Sequence, residues 1–300
     1  MPKTPDFDLI SDWVQSFLFD RKIRGFKAGT IEYHRKCLMR FLRFCEGENI
    51  QYVREITPLI LRKFINSMDC LADITIRNTY KSVAAFLHWY EAEVEPPDWR
   101  SPTNKVQTPK VTDAPIQPIP IKDAYQVIKK CPNDNLGVRD RAILSVLLDT
   151  GIRAAELLAL DFEDLNIASG QLLIRHGKGD KTRAVYCGKE TRRNLRRWLT
   201  VRGLENNPLF TTLDSFERLT YSGLRWLIIR AFERAKVPYK GIHTFRRLFA
   251  LTLLRQGVDV VTISRLLGHS TTEVVKRYLA QTDDDLHIAH AKASPVDNGF

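Results

Sequence analysis

Two histidines, an arginine and a tyrosine lie near one another in the last part of this 300-residue chain. His243 and Arg246 are three residues apart, so in a helix they share one face and can contact the same ligand. His269 directly follows Gly268, which closes an apolar helical pattern, and Tyr278 comes nine residues later. Tyrosine is a nucleophile, arginine binds phosphate and histidine moves protons near neutral pH. These residues are therefore suited to phosphoryl transfer with a covalent step.

Arg153 and Glu156 lie where one helical pattern ends and another begins. Thr150-Gly151 separates the two patterns, which places Arg153 in a first helical turn among free backbone N–H groups. An arginine there is disfavoured by the helix dipole unless an anion lies nearby. Glu156, three residues later, is the alternative partner, and its pairing with Arg153 would be purely structural.

Lys178 stands between Gly177 and Gly179 in the segment that joins two predicted strands. The two glycines make this hairpin turn flexible, so it can carry the lysine outward. A nucleotide-binding loop requires the pattern G-x-x-x-x-G-K-[ST] between a strand and a helix, which this segment lacks.

The remaining elements predict a mainly α protein with a small β-sheet. Apolar residues recur at helical spacing at about 6–20, 28–46, 57–69 and 74–93, and again at about 121–130, 138–148, 189–201 and 222–236. Two more helical patterns contain His243 and precede His269. Strand character is found at 171–175 and 182–187.

The predicted helix 28–46 has an apolar stripe and a basic surface. Its stripe is expected to bury Tyr33, Cys37, Phe41 and Cys45. Lys36, Arg40 and Arg43 occupy other positions. They form either a solvated face or a face that contacts the backbone of a polyanionic partner, and the sequence leaves both open.

Half of the fourteen prolines lie between Glu95 and Pro120. Proline interrupts helices and central strands, so this segment is expected to be an extended linker. We predict a helical domain at 1–100, a linker at 101–118, an α+β domain at 119–282 and a C-terminal tail at 283–300.

Composition narrows the functional class. The net charge is +11, and the first hundred residues are nearly balanced, so most of the positive excess lies in the remaining part. This excess favours a nucleic acid partner.

The five cysteines include no C-x-x-C pair, so neither a disulfide framework nor a zinc site is expected. No apolar run is long enough for a membrane span and no signal core is present, so we expect a cytoplasmic, nucleoid-associated protein without a membrane partner.

Taken in order, these motifs resemble the tyrosine recombinases, the family of phage integrases and Xer-type recombinases. The matching residues are Thr150-Gly151-Ile152-Arg153 with Glu156, Gly177-Lys178-Gly179, His243-x-x-Arg246, Leu267-Gly268-His269, and Tyr278. The chain departs from the family pattern at Ala155, where serine is common, and at Arg247, where histidine is frequent. It also departs at Val274 and Val275, where polar residues are frequent. None of these departures replaces a catalytic side chain.

The resemblance implies a site-specific recombinase that cuts and rejoins DNA through a 3′-phosphotyrosyl intermediate and a Holliday junction. In this family the helical domain 1–100 would be the core-binding domain and 119–282 the catalytic domain. Tyr278 would be the nucleophile, and Arg153 and Arg246 would bind the phosphate oxygens. Lys178 would protonate the leaving 5′-oxygen, while His243 and His269 would donate hydrogen bonds or carry the tyrosine proton.

Glu156 would orient Arg153, and Lys36, Arg40, Arg43 and Arg247 would contact DNA. No cofactor and no metal are expected. The partners implied are double-stranded DNA with inverted-repeat half-sites and a homotetramer on that DNA, with a related recombinase or accessory proteins as additional partners.

Two other functions remain open from the sequence. One is a DNA-binding regulator that keeps the fold without strand exchange. The other is a type IB topoisomerase-like enzyme, which uses the same covalent chemistry but relaxes DNA as a monomer.

Overall fold

The structure is a computed structural model that describes residues 9–111, 118–175, 182–202 and 207–268, together with residues 287, 290, 291, 294, 296 and 297. The chain divides into two compact units, Met1–Asp113 and Ala114–Phe300. Each unit has its own cluster of buried apolar side chains. The division falls inside the segment that the prolines predict as a linker.

Within residues 9–111 the first unit contains four α-helices. They are α1 (Ile10–Ile23), α2 (Ala28–Gly47), α3 (Pro58–Asn66) and α4 (Asp73–Val94). Thr57 caps α3, since its hydroxyl accepts a hydrogen bond from the backbone N–H of Ile60 at 3.3 Å. The start of the predicted linker packs on this unit, because Val106 is buried in its core and its carbonyl accepts a hydrogen bond from the Tyr80 hydroxyl.

The predicted buried stripe of α2 is wrong at one position. Cys37, Phe41 and Cys45 are buried, whereas Tyr33 is 44% exposed. A helix turns 100° per residue, so positions spaced by four drift around its axis by 40° at each step. Over the twelve residues from Cys45 back to Tyr33 the drift reaches about 120°, and Tyr33 leaves the buried face.

The described part of the second unit contains seven more α-helices. They are α5 (Ile121–Lys129), α6 (Asn135–Thr150), α7 (Ala154–Ala159), α8 (Lys189–Arg202), α9 (Tyr221–Ala235), α10 (His243–Arg255) and α11 (Val260–Leu267). Helix α6 lies at the centre of this unit, packed against α8 and α10. Its residues from Ala142 to Leu147 are all buried, which explains why its apolar pattern is continuous rather than one-sided.

A three-stranded antiparallel sheet completes the second unit. Its strands are β1 (Leu165–Asn166), β2 (Gln171–Ile174) and β3 (Arg183–Tyr186), in the order β1-β2-β3. Strand β2 pairs with β3 so that Ile174 lies opposite Arg183. The sequence predicted β2 and β3 but missed β1, because two residues are too few to show a period-2 pattern. The predicted fold class, mainly α with a small sheet, is confirmed.

No helix in the described ranges combines the length and the apolar character that crossing a bilayer requires.

Candidate active site

Arg153 is positioned by a sharp break between α6 and α7. Gly151 ends α6 with a φ of 60°, and Arg153 is the N-cap residue of α7. A β-carbon on Gly151 would lie 2.4 Å from the Phe249 ring, so both the backbone conformation and the available space require glycine. Helix α6 therefore ends and α7 begins within a few residues, which places the Arg153 side chain at the start of a helix.

Glu156 is a buried carboxylate held by two arginines. Its Oε2 accepts from the backbone N–H of Arg153 at 2.8 Å and its Oε1 accepts from Arg153 Nη1 at 2.7 Å. Arg183 donates to the same two oxygens, from Nη1 at 3.0 Å and from Nη2 at 2.8 Å. Burial alone would raise the pKa of Glu156, but the hydrogen bonds and charges of Arg183 and Arg153 outweigh it and lower the pKa to about 2. The carboxylate is thus ionised at any physiological pH.

Arg246 lies on α10, and its side chain is buried. Its Nη1 donates to the carbonyl of Gly151 at 2.6 Å, and its Nη2 donates to the carbonyl of Leu267 at 2.7 Å. The guanidinium therefore ties the α6–α7 break to the end of α11.

The C-terminus of α11 is held by three arginines. The successive carbonyls of Leu266, Leu267 and Gly268 accept hydrogen bonds from Arg183, Arg246 and Arg153, respectively. The last carbonyls of a helix have no partner within it and carry partial negative charge, so cations are favoured there. Gly268 has a φ of 65° and ends the helix immediately before His269.

His243 is the first residue of α10, one turn before Arg246, and its side chain is exposed. The protein surface around the imidazole removes part of its hydration, and this desolvation lowers the pKa of His243 below 6.5. The positive charges of Arg246, Arg247 and Arg153 lower the pKa further. The imidazole is therefore neutral at pH 7 and can accept a proton.

The structure brings two predicted catalytic residues, Arg153 and Arg246, together with the supporting Glu156 around the end of α11. His243 lies one turn before Arg246 on α10. The remaining three predicted catalytic residues, Lys178, His269 and Tyr278, lie outside the described residues.

Comparison with known proteins assigns the chain to a family. The model of the phage integrase family matches residues 119–285, more than half of the sequence. The chain belongs to the phage integrase family. Tyrosine recombinase XerC of Thermodesulfovibrio yellowstonii is 26% identical to this family member over 95% of the chain and 96% of the relative.

Solved structures share the fold of this phage integrase family member. XerH site-specific recombinase bound to palindromic difH substrate, in a post-cleavage complex, gives a TM-score of 0.74 at 19% identity over 96% of this chain and 85% of that chain. A lambda integrase tetramer bound to a Holliday junction gives 0.73 at 16% identity over 93% and 82%.

Membership of the phage integrase family makes the chain a tyrosine-type DNA strand transferase, which is a site-specific recombinase. The comparisons support neither the regulator without strand exchange nor the topoisomerase.

The DNA contacts predicted for this integrase family member fall on both units. On α2, Lys36, Arg40 and Arg43 are all exposed and recur on one side of the helix. Lys36 lies 3.9 Å from Glu32, and Arg40 donates to the Thr79 hydroxyl at 3.4 Å. Arg247, on α10, is half-buried.

Arg183 is the site residue that sequence reasoning missed. It begins β3, and residues two apart in a strand face the same side, so Arg183 shares its side with the buried Val185. A charged residue on the same side of a strand as a core residue indicates a buried ion pair. The alternation of Arg183 and Val185 that indicates it is visible in the sequence.

Proposed function

We propose that this recombinase cuts one DNA strand at a time with Tyr278 as the nucleophile. The phenolate oxygen attacks a backbone phosphorus and forms a 3′-phosphotyrosyl bond, while the bond to the 5′-oxygen breaks. The tyrosine proton passes to His243 or His269, and the leaving 5′-oxygen takes a proton from Lys178. A 5′-hydroxyl from a second DNA then attacks the same phosphorus and forms a new phosphodiester bond, while the bond to the Tyr278 oxygen breaks and the tyrosine takes back a proton. Repeated on the other strands, this exchange passes through a Holliday junction.

The observation that carries this proposal is the convergence of two arginines on one helix end. Arg153 and Arg246 come from separate helices, yet both bind carbonyls at the end of α11, directly before His269. Two rigid guanidinium groups at one place can stabilise the negative charge on both nonbridging oxygens as the phosphorus is attacked. Because the phosphotyrosyl bond preserves the energy of the bond that was broken, neither ATP nor a metal ion takes part.

The test is covalent trapping on DNA. A duplex recovered from a random-sequence library by repeated gel-shift selection with the wild-type protein provides the substrate, hereafter the selected site. A nick near the cleavage point lets the released piece diffuse away, so the covalent adduct accumulates. Tyr278→Phe should bind the selected site with nearly wild-type affinity and form no adduct, because only the nucleophilic oxygen is removed.

The matched control is Tyr221→Phe, which alters an exposed tyrosine at the start of α9. It should form the adduct at the wild-type rate. An adduct that persists in Tyr278→Phe would remove Tyr278 from the nucleophile role.

We further propose that the protein acts as a homotetramer on double-stranded DNA with inverted-repeat half-sites, in the cytoplasm at the nucleoid. In this arrangement residues 1–100 form the core-binding domain and residues 119–282 the catalytic domain, joined by the linker 101–118. A related recombinase and accessory proteins are additional partners. The lambda integrase tetramer on a Holliday junction, which shares this fold, supports the assembly.

The tail 283–300 is proposed to join neighbouring protomers. A cavity of about 1070 Å³ lies among α5, α6, α8 and α10. Its wall is apolar at Tyr125 and Phe249 and basic at Arg193 and Arg197. The tail begins with three aspartates, 283–285, followed by apolar residues, so its charge and its apolar surface both complement this cavity.

Deleting residues 284–300 tests the tail. The truncated protein should bind a half-site of the selected site normally, assemble less cooperatively on the full site and fail in strand exchange. Gel-shift titrations and a recombination assay measure these properties, and His290→Ala within the tail is the control. Recombination by the truncated protein at the wild-type rate would rule out an assembly role.

A further inference from the structure

Arg183 links three segments of the second unit that are far apart in sequence. It is the first residue of β3, so it stands directly after the segment that contains Lys178. Its guanidinium binds both oxygens of Glu156 and, through Nε, the carbonyl of Leu266 at 3.3 Å. A single side chain therefore connects the sheet, α7 and the end of α11.

The guanidinium of Arg183 occupies the space that a side chain at Gly268 would need. A β-carbon on Gly268 would lie 2.8 Å from the central carbon of the Arg183 guanidinium. The planar group thus packs against the last residue before His269. Only 13% of the Arg183 side chain is exposed, and that of Glu156 is 4% exposed, so the pair is shielded from solvent.

Arg183 and Arg153 share one carboxylate. Each oxygen of Glu156 accepts one hydrogen bond from Arg153 and one from Arg183. Without Arg183, Arg153 would be the one cationic partner of the buried Glu156 carboxylate among the contacts described. The carboxylate would then draw the whole guanidinium of Arg153 into a bidentate ion pair. That pairing would take from Arg153 the donors that a phosphate needs.

We propose that Arg183 is a positioning residue for strand cleavage: by occupying Glu156 and the end of α11, it keeps Arg153 directed to the phosphate and holds the backbone before His269. This inference rests on the proposed function. In this role Arg183 acts through Glu156 and the Leu266 carbonyl and not by binding DNA.

Arg175 offers a matched control. It immediately precedes the same segment, 176–181, which Arg183 follows. Its side chain pairs with Asp164 and Glu163, and none of its described hydrogen bonds or ion pairs reaches Glu156, Arg153 or α11. Arg175→Gln therefore removes an arginine ion pair next to the same segment and leaves all four hydrogen bonds of Glu156 in place.

The experiment measures single-turnover cleavage of the nicked selected site. Arg183→Gln should cut about 10- to 100-fold more slowly than wild type, by analogy with the loss of a partner that orients a metal ligand. Its affinity for the selected site should change little, and Arg175→Gln should cut at the wild-type rate. Equal rates for Arg183→Gln and wild type would overturn the inference.

A double variant separates positioning from general damage to the fold. In Glu156→Gln/Arg183→Gln both charges are absent, so Arg153 is no longer drawn away from the phosphate. This variant should cut faster than Arg183→Gln alone, because the two sites are coupled. A double variant slower than both single variants would mean that Arg183 is merely structural.

Arg183→Lys keeps the test valid if Arg183→Gln does not fold, as judged by circular dichroism. Lysine retains the charge but cannot bind both oxygens with a planar fork, so its cleavage rate should remain about 10-fold below wild type. A wild-type rate in this variant would contradict the inference. Absence of any adduct with the wild-type protein would instead refute the proposed function itself, and the inference with it.

Discussion

At the scale of single residues, Glu156 holds the charged groups of the site in place, although it is not expected to touch DNA. Its carboxylate is buried, and it accepts hydrogen bonds from a backbone N–H and two guanidinium groups. An ionised carboxylate is buried at low cost only when such partners surround it. The stability of the second unit should therefore depend on the charge of this one group.

The pKa of Glu156 predicts how stability changes with pH. It is about 2 in the folded chain against an ordinary 4.5, so the ionised form contributes about 3 kcal/mol above pH 4.5. Because the folded pKa is the lower one, this contribution is lost as the pH falls from 4.5 towards 2. The advantage of wild type over Glu156→Gln in free energy of unfolding should shrink by roughly 1 kcal/mol between pH 7 and pH 3.5.

Urea unfolding of both proteins at the two pH values measures this difference. Parallel changes in wild type and Glu156→Gln would show that the two arginines do not hold the carboxylate ionised.

At the scale of elements, the break between α6 and α7 decides where Arg153 stands. Gly151 allows this break because its φ is positive and because the Phe249 ring of α10 occupies the space that a side chain would need. Its carbonyl also accepts the hydrogen bond from Arg246. One glycine thus sets the relation of α6, α7 and α10.

Gly151→Ala should destabilise the protein by about 2 to 4 kcal/mol, which adds the cost of a left-handed backbone to the displacement of Phe249. Cleavage of the nicked selected site should also slow, because Arg153 and the partner carbonyl of Arg246 both shift. Thermal unfolding and single-turnover cleavage measure the two effects.

Gly29→Ala is the control for this substitution. Gly29 lies in the first turn of α2, where a β-carbon would meet nothing within 4 Å. Alanine there should leave stability unchanged or raise it by about 0.5 kcal/mol. A loss in Gly151→Ala no larger than the effect at Gly29 would contradict the packing described.

At the scale of the whole molecule, the two units have separate cores and different charge. The first unit is nearly neutral overall but exposes Lys36, Arg40 and Arg43 on α2, whereas the second carries most of the excess positive charge. If both units contact the same DNA, their contributions combine through the linker, because binding of one unit raises the local concentration of the other.

The fragments 1–113 and 114–300 should each bind the selected site far more weakly than the intact chain, and so should their equimolar mixture. The logarithm of the association constant of the intact chain should fall with the logarithm of salt concentration more steeply than that of either fragment, since more phosphates are contacted. Gel-shift titrations over a range of salt concentrations measure both quantities. Full affinity in one fragment would show that the other does not bind DNA.

The sequence by itself determined the helices, the two main strands and the order of the functional residue types. These depend on short-range rules: apolar periodicity, capping at Thr57, and glycine where a helix ends at Gly151 and Gly268. The same local patterns carry the family resemblance, so they are sufficient to predict the class of reaction.

Only the tertiary structure decided which charged groups meet. Arg183 is 27 residues from Glu156, and Arg153 is 115 residues from Gly268, yet both pairs are in hydrogen-bond contact. Periodicity shows that a residue faces inward but not what it faces, because that depends on how α7, β3 and α11 pack together. For the same reason the sequence assigned Glu156 to Arg153 alone, while in the folded chain this carboxylate is shared between two arginines.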